Sequence, residues 1–437
     1  MRKLLYITID AALLFTGIQS AFILLENLNV LYEYEKNFAA FLDILPYILG
    51  TYIFLTYAYG LYNIARKNLS DVIYSVFLLS VSLLVLEMGI CFLIRDVAMA
   101  FPRSVMLLGG VFNLFLLTGW RVLCWQVERK VAGIKKIAVF SGHDNSLIPS
   151  IVKFFSKLYK IEYEYSEKDD STVIEEKIKS VDEVFIDINI PTKVRDNALF
   201  LSIKHKKNVF FVPEYYYLSL ISAFLSKTDD IPTFQITSME MSTEERFIKR
   251  FFDLILSLSL IIIFLPFGLF IAALVKLDGG PVFYSQERVT RDRKSFKILK
   301  FRTMIPNAEK KSGPVFASEN DPRITKVGRF LRAVRFDEVP QLLNILKGEM
   351  SVVGPRPERP YYVNKFEQAI PEYAYRHRVK AGLTGLAQVE GKYNTTVENK
   401  LRYDLIYINR YSVWRDFLII IQTIKILFIR ESTEGVQ

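Results

Sequence analysis

Two carboxylates stand side by side at Asp337 and Glu338, and the residues around them are arginines at regular spacing. Arg329, Arg332 and Arg335 recur every third residue upstream, so in a helix they form one basic stripe leading to the acids. Downstream, Gly354-Pro355-Arg356-Pro357 aims a further guanidinium from a stiff backbone. Guanidinium forks match phosphate oxygens two at a time, while ionised carboxylates hold Mg²⁺. The combination fits a place where a phosphate, and with it Mg²⁺, is handled. A capping pair on a surface helix with solvated arginines has the same spacing, so spacing alone leaves both readings open.

The elements that position these groups can be read from their neighbours. Pro340 opens a short apolar run, PQLLNILKG, and proline is preorganised for the first turn of a helix. Lys347 and Gly348 then supply a last turn and a left-handed cap. The acids are thereby expected at a helix N-terminus, where free N–H groups and the dipole keep a carboxylate ionised and also welcome a phosphate. From Phe296 to Met304, FKILKFRTM reads as a strand with Lys300 and Arg302 on one face.

Residues 320–360, NDPRITKVGRFLRAVRFDEVPQLLNILKGEMSVVGPRPERP, closely resemble the active-site segment of the bacterial sugar transferases, the monotopic polyprenyl-phosphate phosphoglycosyl transferases. Those share a pattern like DPRxTxxGxxLRxxxxDExPQLxNxLxGxMSxVGPRPE. Two further stretches carry the likeness. Residues 280–304 resemble GPVFYxQxRVGxxxxxFxxxKFRTM, with Thr290 where glycine is usual, and residues 376–391 resemble RxxVxPGxTGxAQVxG, with Ala381 where proline is usual. In motifs the resemblance covers about residues 246 to 430, and the order of the remainder fits the larger, multi-domain branch.

The resemblance implies transfer of a sugar-1-phosphate from a UDP-sugar to a polyprenyl phosphate such as undecaprenyl phosphate. Asp337 would be the nucleophile and Glu338 would bind Mg²⁺ or assist the acceptor. Arg332 and Arg356 would hold the diphosphate and nucleotide, with Arg329, Arg335, Lys300 and Arg302 as further phosphate-binding candidates. The product would start the repeat unit of an exopolysaccharide, capsule or O-antigen-like polymer. The different-class alternative is a non-catalytic scaffold or regulator of polysaccharide assembly, against which the intact Asp337–Glu338 pair speaks.

Composition places this chemistry at a membrane. Half of the 437 residues are hydrophobic (51%), and the mean hydropathy is positive at +0.22. Apolar segments at about 4–25, 39–63, 71–94 and 102–127 are each long enough to span a bilayer. Arg2 and Lys3, Arg66 and Lys67, and Arg129, Lys130, Lys135 and Lys136 mark cytoplasmic ends, while Glu26, Glu33 and Glu35 lie on the other side. The net charge of +10 suits the cytoplasmic face of an anionic bilayer, and no nucleic-acid-binding motif is present. Two cysteines, both in apolar segments, make no disulfide framework, and three scattered histidines leave little room for a His-rich metal site.

Beyond the fourth segment, Ile137–Phe140, Ile161–Tyr165, Val184–Ile188 and Val209–Val212 read as strands alternating with helical patterns such as SLIPSIVKFFSKLY. That alternation implies a parallel sheet of Rossmann type, but no GxGxxG follows the first strand, which argues against a dinucleotide site. Residues 251–275 are apolar and long enough to cross, yet both flanks are basic, and Pro266 sits inside. A re-entrant helix that breaks near Pro266 and returns to the same face reconciles these facts, and the resemblance implies the same. The closing run DFLIIIQTIKILFIR is too short to cross comfortably and is expected to lie on the membrane.

The fold class expected is therefore membrane α plus α/β. Residues 1–128 form four transmembrane helices, 129–240 a Rossmann-like accessory domain, 241–276 the re-entrant helix and 277–437 the catalytic domain with its interfacial helix. The expected location is multi-pass in the bacterial cytoplasmic membrane with the catalytic domain cytoplasmic, and a homodimer is compatible with so much surface.

Overall fold

The computed structural model describes residues 2–65, 67–94, 101–142, 158–236, 239–277, 279–306, 321–392 and 395–427. It divides into two compact units, Met1–Val212 and Pro213–Gln437. Residues 213–240, expected to close the accessory domain, belong instead to the second unit. Leu218 lies in that unit's core, and Arg402 donates to the Pro213 carbonyl at 3.1 Å.

The first unit begins with helices α1 (Arg2–Asn27), α2 (Tyr34–Ala58), α3 (Leu69–Leu93) and α4 (Arg103–Ala132). Each is long and apolar enough to cross a membrane, where a helix satisfies its own backbone polar groups. Small residues let α1 and α4 approach closely: a Cβ on Gly17 would fall 2.0 Å from Asn113 Oδ1. An ion pair between Asp10 on α1 and Arg121 on α4 is buried in the same bundle, and Arg121 also donates to the Leu61 carbonyl at 3.3 Å.

Strands β1 (Lys135–Phe140), β2 (Tyr159–Glu164), β3 (Glu183–Ile186) and β4 (Asn208–Phe211) follow, with helices α5 (Ser171–Ser180) and α6 (Thr192–Lys204) between them. All pairings are parallel, in the order β2-β1-β3-β4. Both sheet faces are apolar, as parallel strands require. Ala138, Phe140, Val184 and Ile186 pack on α5 and α6, while Ile137, Val139 and Phe185 cover the reverse. The helical pattern read at SLIPSIVKFFSKLY lies, but for its last two residues, outside the described residues.

The second unit opens with α7 (Tyr215–Leu220) and an antiparallel hairpin, β5 (Phe224–Thr228) with β6 (Ile231–Gln235). Helix α8 then runs from Thr243 to Leu277 with Pro266 inside it. The break expected at Pro266 is therefore not an interruption of the helix. The chain stays helical through the proline, as happens where neighbouring turns absorb the lost hydrogen bond. Strands β7 (Phe283–Val289) and β8 (Ser295–Phe301) form a second antiparallel hairpin. After α9 (Lys326–Ala333) come a 3₁₀ turn (Phe336–Glu338) and α10 (Gln341–Lys347). Strand β9 (Ser351–Val353), helix α11 (Pro360–Ala369) and a 3₁₀ stretch (Pro371–Arg378) lead to β10 (Gly382–Thr384), which pairs parallel to β9. Helices α12 (Leu386–Glu390), α13 (Val397–Asn409) and α14 (Val413–Leu427) complete it.

Its core gathers Ile298, Leu342, Ile345, Val352, Val353, Leu405 and Ile419 from five elements. A second cluster, Ile271, Val275, Phe301 and Leu331, seats the end of α8 on β8 and α9. Helix α8 is thus bound to this unit along both halves. Near its start Arg250 donates to the Ile345 and Leu346 carbonyls at 2.6 and 2.7 Å, and Asp253 Oδ1 accepts from Ser351 Oγ and the Val352 amide. Between the two anchorages Leu256, Leu260 and Ile261 pack on the core, while Ile262, Ile263, Leu265, Phe267, Leu269 and Phe270 are exposed.

Candidate active site

Helix α10 forms as its sequence dictates. Pro340 caps its start, and Gly348 ends it with φ 85°, a left-handed conformation that glycine adopts without a Cβ penalty. Asn344, fully buried, ties the helix to β8: its Oδ1 accepts the Leu299 amide at 3.0 Å and its Nδ2 donates to the Lys297 carbonyl at 2.9 Å. This sets β8, which carries Lys300, beside the turn that precedes α10. The acids occupy that separate 3₁₀ turn, so they stand just ahead of the helix rather than in its first turn.

The arginine stripe is shorter than the spacing predicts. Arg329 and Arg332 lie on α9, but Arg335 falls beyond it at φ 57°, a left-handed residue that redirects the chain into the acid turn. Thr325 caps α9, its hydroxyl accepting the Gly328 amide at 2.9 Å. Gly328 is required here, because a Cβ would fall 2.0 Å from the Thr303 carbonyl oxygen. This close approach lets Arg332 Nε donate to Thr303 Oγ1 at 2.8 Å.

Glu338 Oε1 accepts from two cations, Lys300 Nζ at 2.7 Å and Arg356 Nη2 at 3.0 Å. Arg356 arrives on a turn whose carbonyls are all engaged. Pro355 O accepts the Gly382 amide (2.9 Å), Arg356 O accepts Arg376 Nη2 (2.9 Å), Pro357 O accepts Arg288 Nη1 (3.1 Å) and Glu358 O accepts the Val289 amide (3.0 Å). Prolines at 355 and 357 have no N–H to satisfy, so this short segment is held by distant partners alone. Arg376 is itself fixed by a buried ion pair with Asp404 at 2.9 Å.

The two acids are electrostatically unlike. Burial opposes ionisation of Glu338, yet Lys300 and Arg356 overcome it and hold its pKa well below the usual carboxylate range. Burial pushes Asp337 up, and the neighbouring Glu338 charge adds to the rise against the pull of Lys300, Arg332 and Arg356. Asp337 is 9% exposed, and among the described residues its carboxylate makes no hydrogen bond or ion pair. Glu338 is thus the acid held ionised by its two cations, and Asp337 the unengaged one with a raised pKa. Position at a helix terminus does not separate the two acids; packing of their turn against β8 and α9, a tertiary effect, does.

Of the residues singled out from sequence, Asp337, Glu338, Lys300, Arg332, Arg335 and Arg356 gather here, Arg335 through its field on Glu338. Arg329 is exposed on α9. Arg302 does not join them. It is buried, and its guanidinium donates to the Pro281, Met304, Val275 and Gly279 carbonyls, sealing the end of α8 onto β8. Alternation along the strand suggested a shared face with Lys300, but β8 ends at Phe301 and the Arg302 guanidinium is consumed by backbone carbonyls. Thr303, Arg288, Arg376 and Asp404 were not picked out. Their motif neighbours were visible, but their roles depend on contacts far apart in sequence.

Among the described residues no group of three or more His, Cys, Asp or Glu could hold a metal ion by itself. The Asp337 carboxylate and Glu338 Oε2 nevertheless suit Mg²⁺, which takes one or two carboxylates and completes its shell with phosphate oxygens and water.

Residues 244–430 match the family model described as "Bacterial sugar transferase". The UDP-N-acetylgalactosamine-undecaprenyl-phosphate N-acetylgalactosaminephosphotransferase of Aeromonas hydrophila is 40% identical over 217 residues, 48% of this chain and 51% of that protein. The UDP-glucose:undecaprenyl-phosphate glucose-1-phosphate transferase of Klebsiella pneumoniae is 33% identical over 285 residues, 64% and 61% of the two chains. The exopolysaccharide production protein PSS of Rhizobium leguminosarum bv. phaseoli is 40% identical over 200 residues, 43% of this chain and 96% of that protein. The match therefore spans about half to three-fifths of the first two relatives (51% and 61%) and nearly all of the third.

Proposed function

We propose, from the premise that the chain belongs to the bacterial sugar transferase family, that it transfers a sugar-1-phosphate from a UDP-sugar to undecaprenyl phosphate and releases UMP. The observation that carries this reading is Asp337: a buried carboxylate without a hydrogen-bonding partner among the described residues, next to a Glu338 already neutralised by Lys300 and Arg356. A structural acid would be engaged; a nucleophile must be available.

In the first half-reaction an Asp337 oxygen attacks the sugar-linked phosphorus of the donor. The bond from that phosphorus to the bridging oxygen breaks, and the electron pair leaves with UMP. Asp337 then holds the phosphosugar as an acyl phosphate. In the second, an oxygen of the lipid phosphate attacks the same phosphorus, the bond to Asp337 breaks, and the carboxylate is regenerated. Lys300, Arg332 and Arg356 supply positive charge to the diphosphate, and Arg356 needs its fixed turn to do so from one geometry. Mg²⁺ held by Asp337 and Glu338 would neutralise phosphate charge and favour the ionised form of Asp337 against the pull of the anionic donor.

Location supports the same reading. A helix held at both ends by one unit, with exposed apolar side chains between, is suited to dip into a bilayer and return to the face it entered if it bends at Pro266 while staying helical. On α14, Trp414, Phe417 and Ile424 are exposed and fit an interfacial position. With the four apolar N-terminal helices, this makes a multi-pass protein of the bacterial cytoplasmic membrane, its reactive groups at the cytoplasmic surface where nucleotide sugars are found. The parallel sheet of residues 135–211 serves as a Rossmann-like accessory domain. The relatives' names include glucose and N-acetylgalactosamine, so the donor is identified by assay rather than by likeness.

Purified protein in nanodiscs with Mg²⁺ and undecaprenyl phosphate is given a panel of UDP-sugars, and UMP and UDP are scored separately. UMP from one donor, lost in Asp337→Asn, is the expected result. UDP release instead would mean ordinary glycosyl transfer and would overturn the proposal.

A further inference from the structure

Thr290 and Ala381 stand where the motifs of the family carry glycine and proline, and the two residues touch. The Thr290 hydroxyl donates to the Glu349 carbonyl at 2.9 Å and accepts the Ala381 amide at 3.1 Å. Thr290 is 8% exposed and Ala381 5%, so the Ala381 N–H has no access to water in place of that hydroxyl. The two exchanges are chemically linked. A proline at 381 has no N–H to donate, and a glycine at 290 has no hydroxyl to receive one. Threonine fits without strain, since φ at 290 is −124°, an extended value open to any residue.

The contact lies two steps from the site. The Ala381 carbonyl accepts the Ser351 amide at 2.9 Å, and the next amide, Gly382, donates to the Pro355 carbonyl. Pro355 directly precedes Arg356, which reaches Glu338. Thr290, Ala381 and Arg356 also line one small cavity with Arg376. A proline would stiffen residue 381 by fixing φ. Here a hydrogen bond from a neighbouring strand end does that work.

We propose that Thr290 is a positioning residue for Arg356, acting through Ala381, and that threonine and alanine form a matched exchange for the glycine and proline of the motifs. The catalytic part of this rests on the transfer reaction proposed above; the pairing itself does not.

The test uses the full chain in nanodiscs, with UMP release as the activity readout and the thermal midpoint as one independent of the reaction. Thr290→Val is expected to lower kcat/KM about tenfold, mainly through KM for the donor. The effect falls on KM rather than on kcat, as expected where the donor's guanidinium partner is misplaced. Thr290→Ser retains activity and midpoint. In the cycle of Thr290→Gly, Ala381→Pro and their combination, the double variant loses less than the sum of the singles in both readouts. Additive losses, or a Thr290→Val KM equal to that of the parent, overturn the proposal. If the parent releases no UMP, the transfer reading fails, while the thermal midpoints still decide the pairing.

Discussion

The ring of Phe264, on the apolar helix α8, meets the ring of Phe336 edge-on, with centroids 5.7 Å apart and planes at 72°. Phe336 is the residue before Asp337, so the helix proposed to enter the membrane bears directly on the turn that holds the proposed nucleophile. Removing one ring forfeits about 0.5–1.5 kcal/mol of aromatic contact. Phe264→Ala is expected to lower kcat for UMP release about tenfold or more, since small misplacements of a reacting group are costly, with KM for the donor little changed. Equal kcat in variant and parent, measured in the same nanodiscs, would separate the helix from the positioning of Asp337.

The two acids should respond to pH with opposite signs. Asp337 has a raised pKa, so the native state holds a proton more tightly than the unfolded one. Its contribution to stability is therefore lost as pH rises from the ordinary aspartate value through the raised one. Glu338 has a lowered pKa, and its contribution is present above the ordinary glutamate value and lost as pH falls. At pH 7, Asp337→Asn is expected to leave the thermal midpoint unchanged or raise it, and Glu338→Gln to lower it, although both abolish or depress turnover. Thermal melts of both variants across pH 4–8, about the accessible range for carboxylate titration, check the signs. Activity in the parent is expected to fall on the acid side as Asp337 takes up its proton.

Arg376 and Asp404 form a buried pair behind the Arg356 turn, and burial pushes Asp404 up to about 6 against the pull of Arg376. Removing one partner from a buried pair costs about 3–5 kcal/mol, because the other is left uncompensated. Arg376→Met is expected to lower the thermal midpoint and to raise KM for the donor, since the Arg356 carbonyl loses its donor. Asp404→Asn, which keeps an acceptor for Arg376, should be milder in both. A KM unmoved in Arg376→Met would show that the turn keeps its place without this support.

How much of this was legible in sequence follows from the range of each interaction. The α10 helix was, because Pro340 and Gly348 punctuate it locally. The grouping of Asp337, Glu338, Lys300, Arg332 and Arg356 was legible through the resemblance. Arg302 was misread because alternation assumes the strand continues, and it stops one residue earlier. Arg335 was misread because a stripe assumes a helix, and the chain leaves α9 after Ala333. The difference between the two acids was not legible at all. It arises from packing of the acid turn against β8 and α9, and from Lys300, 38 residues away from Glu338. The four carbonyl partners of the Arg356 turn come from residues 288, 289, 376 and 382, and no local pattern announces such convergence.

Gly328 offers a sharp steric test. A Cβ there would sit 2.0 Å from the Thr303 oxygen and 2.6 Å from its carbonyl carbon, both backbone atoms that cannot swing aside. Gly328→Ala must push α9 off the end of β8, at a cost of about 1–3 kcal/mol by the usual scale of overpacking. The same movement breaks the contact of Arg332 with Thr303. The expected outcome is a lower thermal midpoint together with weaker donor binding, measured by calorimetric titration of UDP-sugar onto an Asp337→Asn background that cannot turn over. Unchanged donor affinity would detach Arg332 from the diphosphate.

Asp10 and Arg121 place opposite charges inside the apolar helical bundle, each almost wholly buried. Within a hydrocarbon-bounded bundle an unpaired charge is strongly unfavourable, whereas a pair replaced whole by apolar side chains of similar size is close to neutral. Asp10→Leu and Arg121→Leu are therefore each expected to destabilise the first unit by about 3–5 kcal/mol, with reduced yield of protein extracted in the folded state. Asp10→Leu combined with Arg121→Leu should recover most of that loss, since no charge is stranded. The measurement is the thermal midpoint of all four proteins in one lipid composition. A double variant as unstable as the worse single would mean that Arg121 acts mainly through the Leu61 carbonyl it also engages, at 3.3 Å, rather than through Asp10.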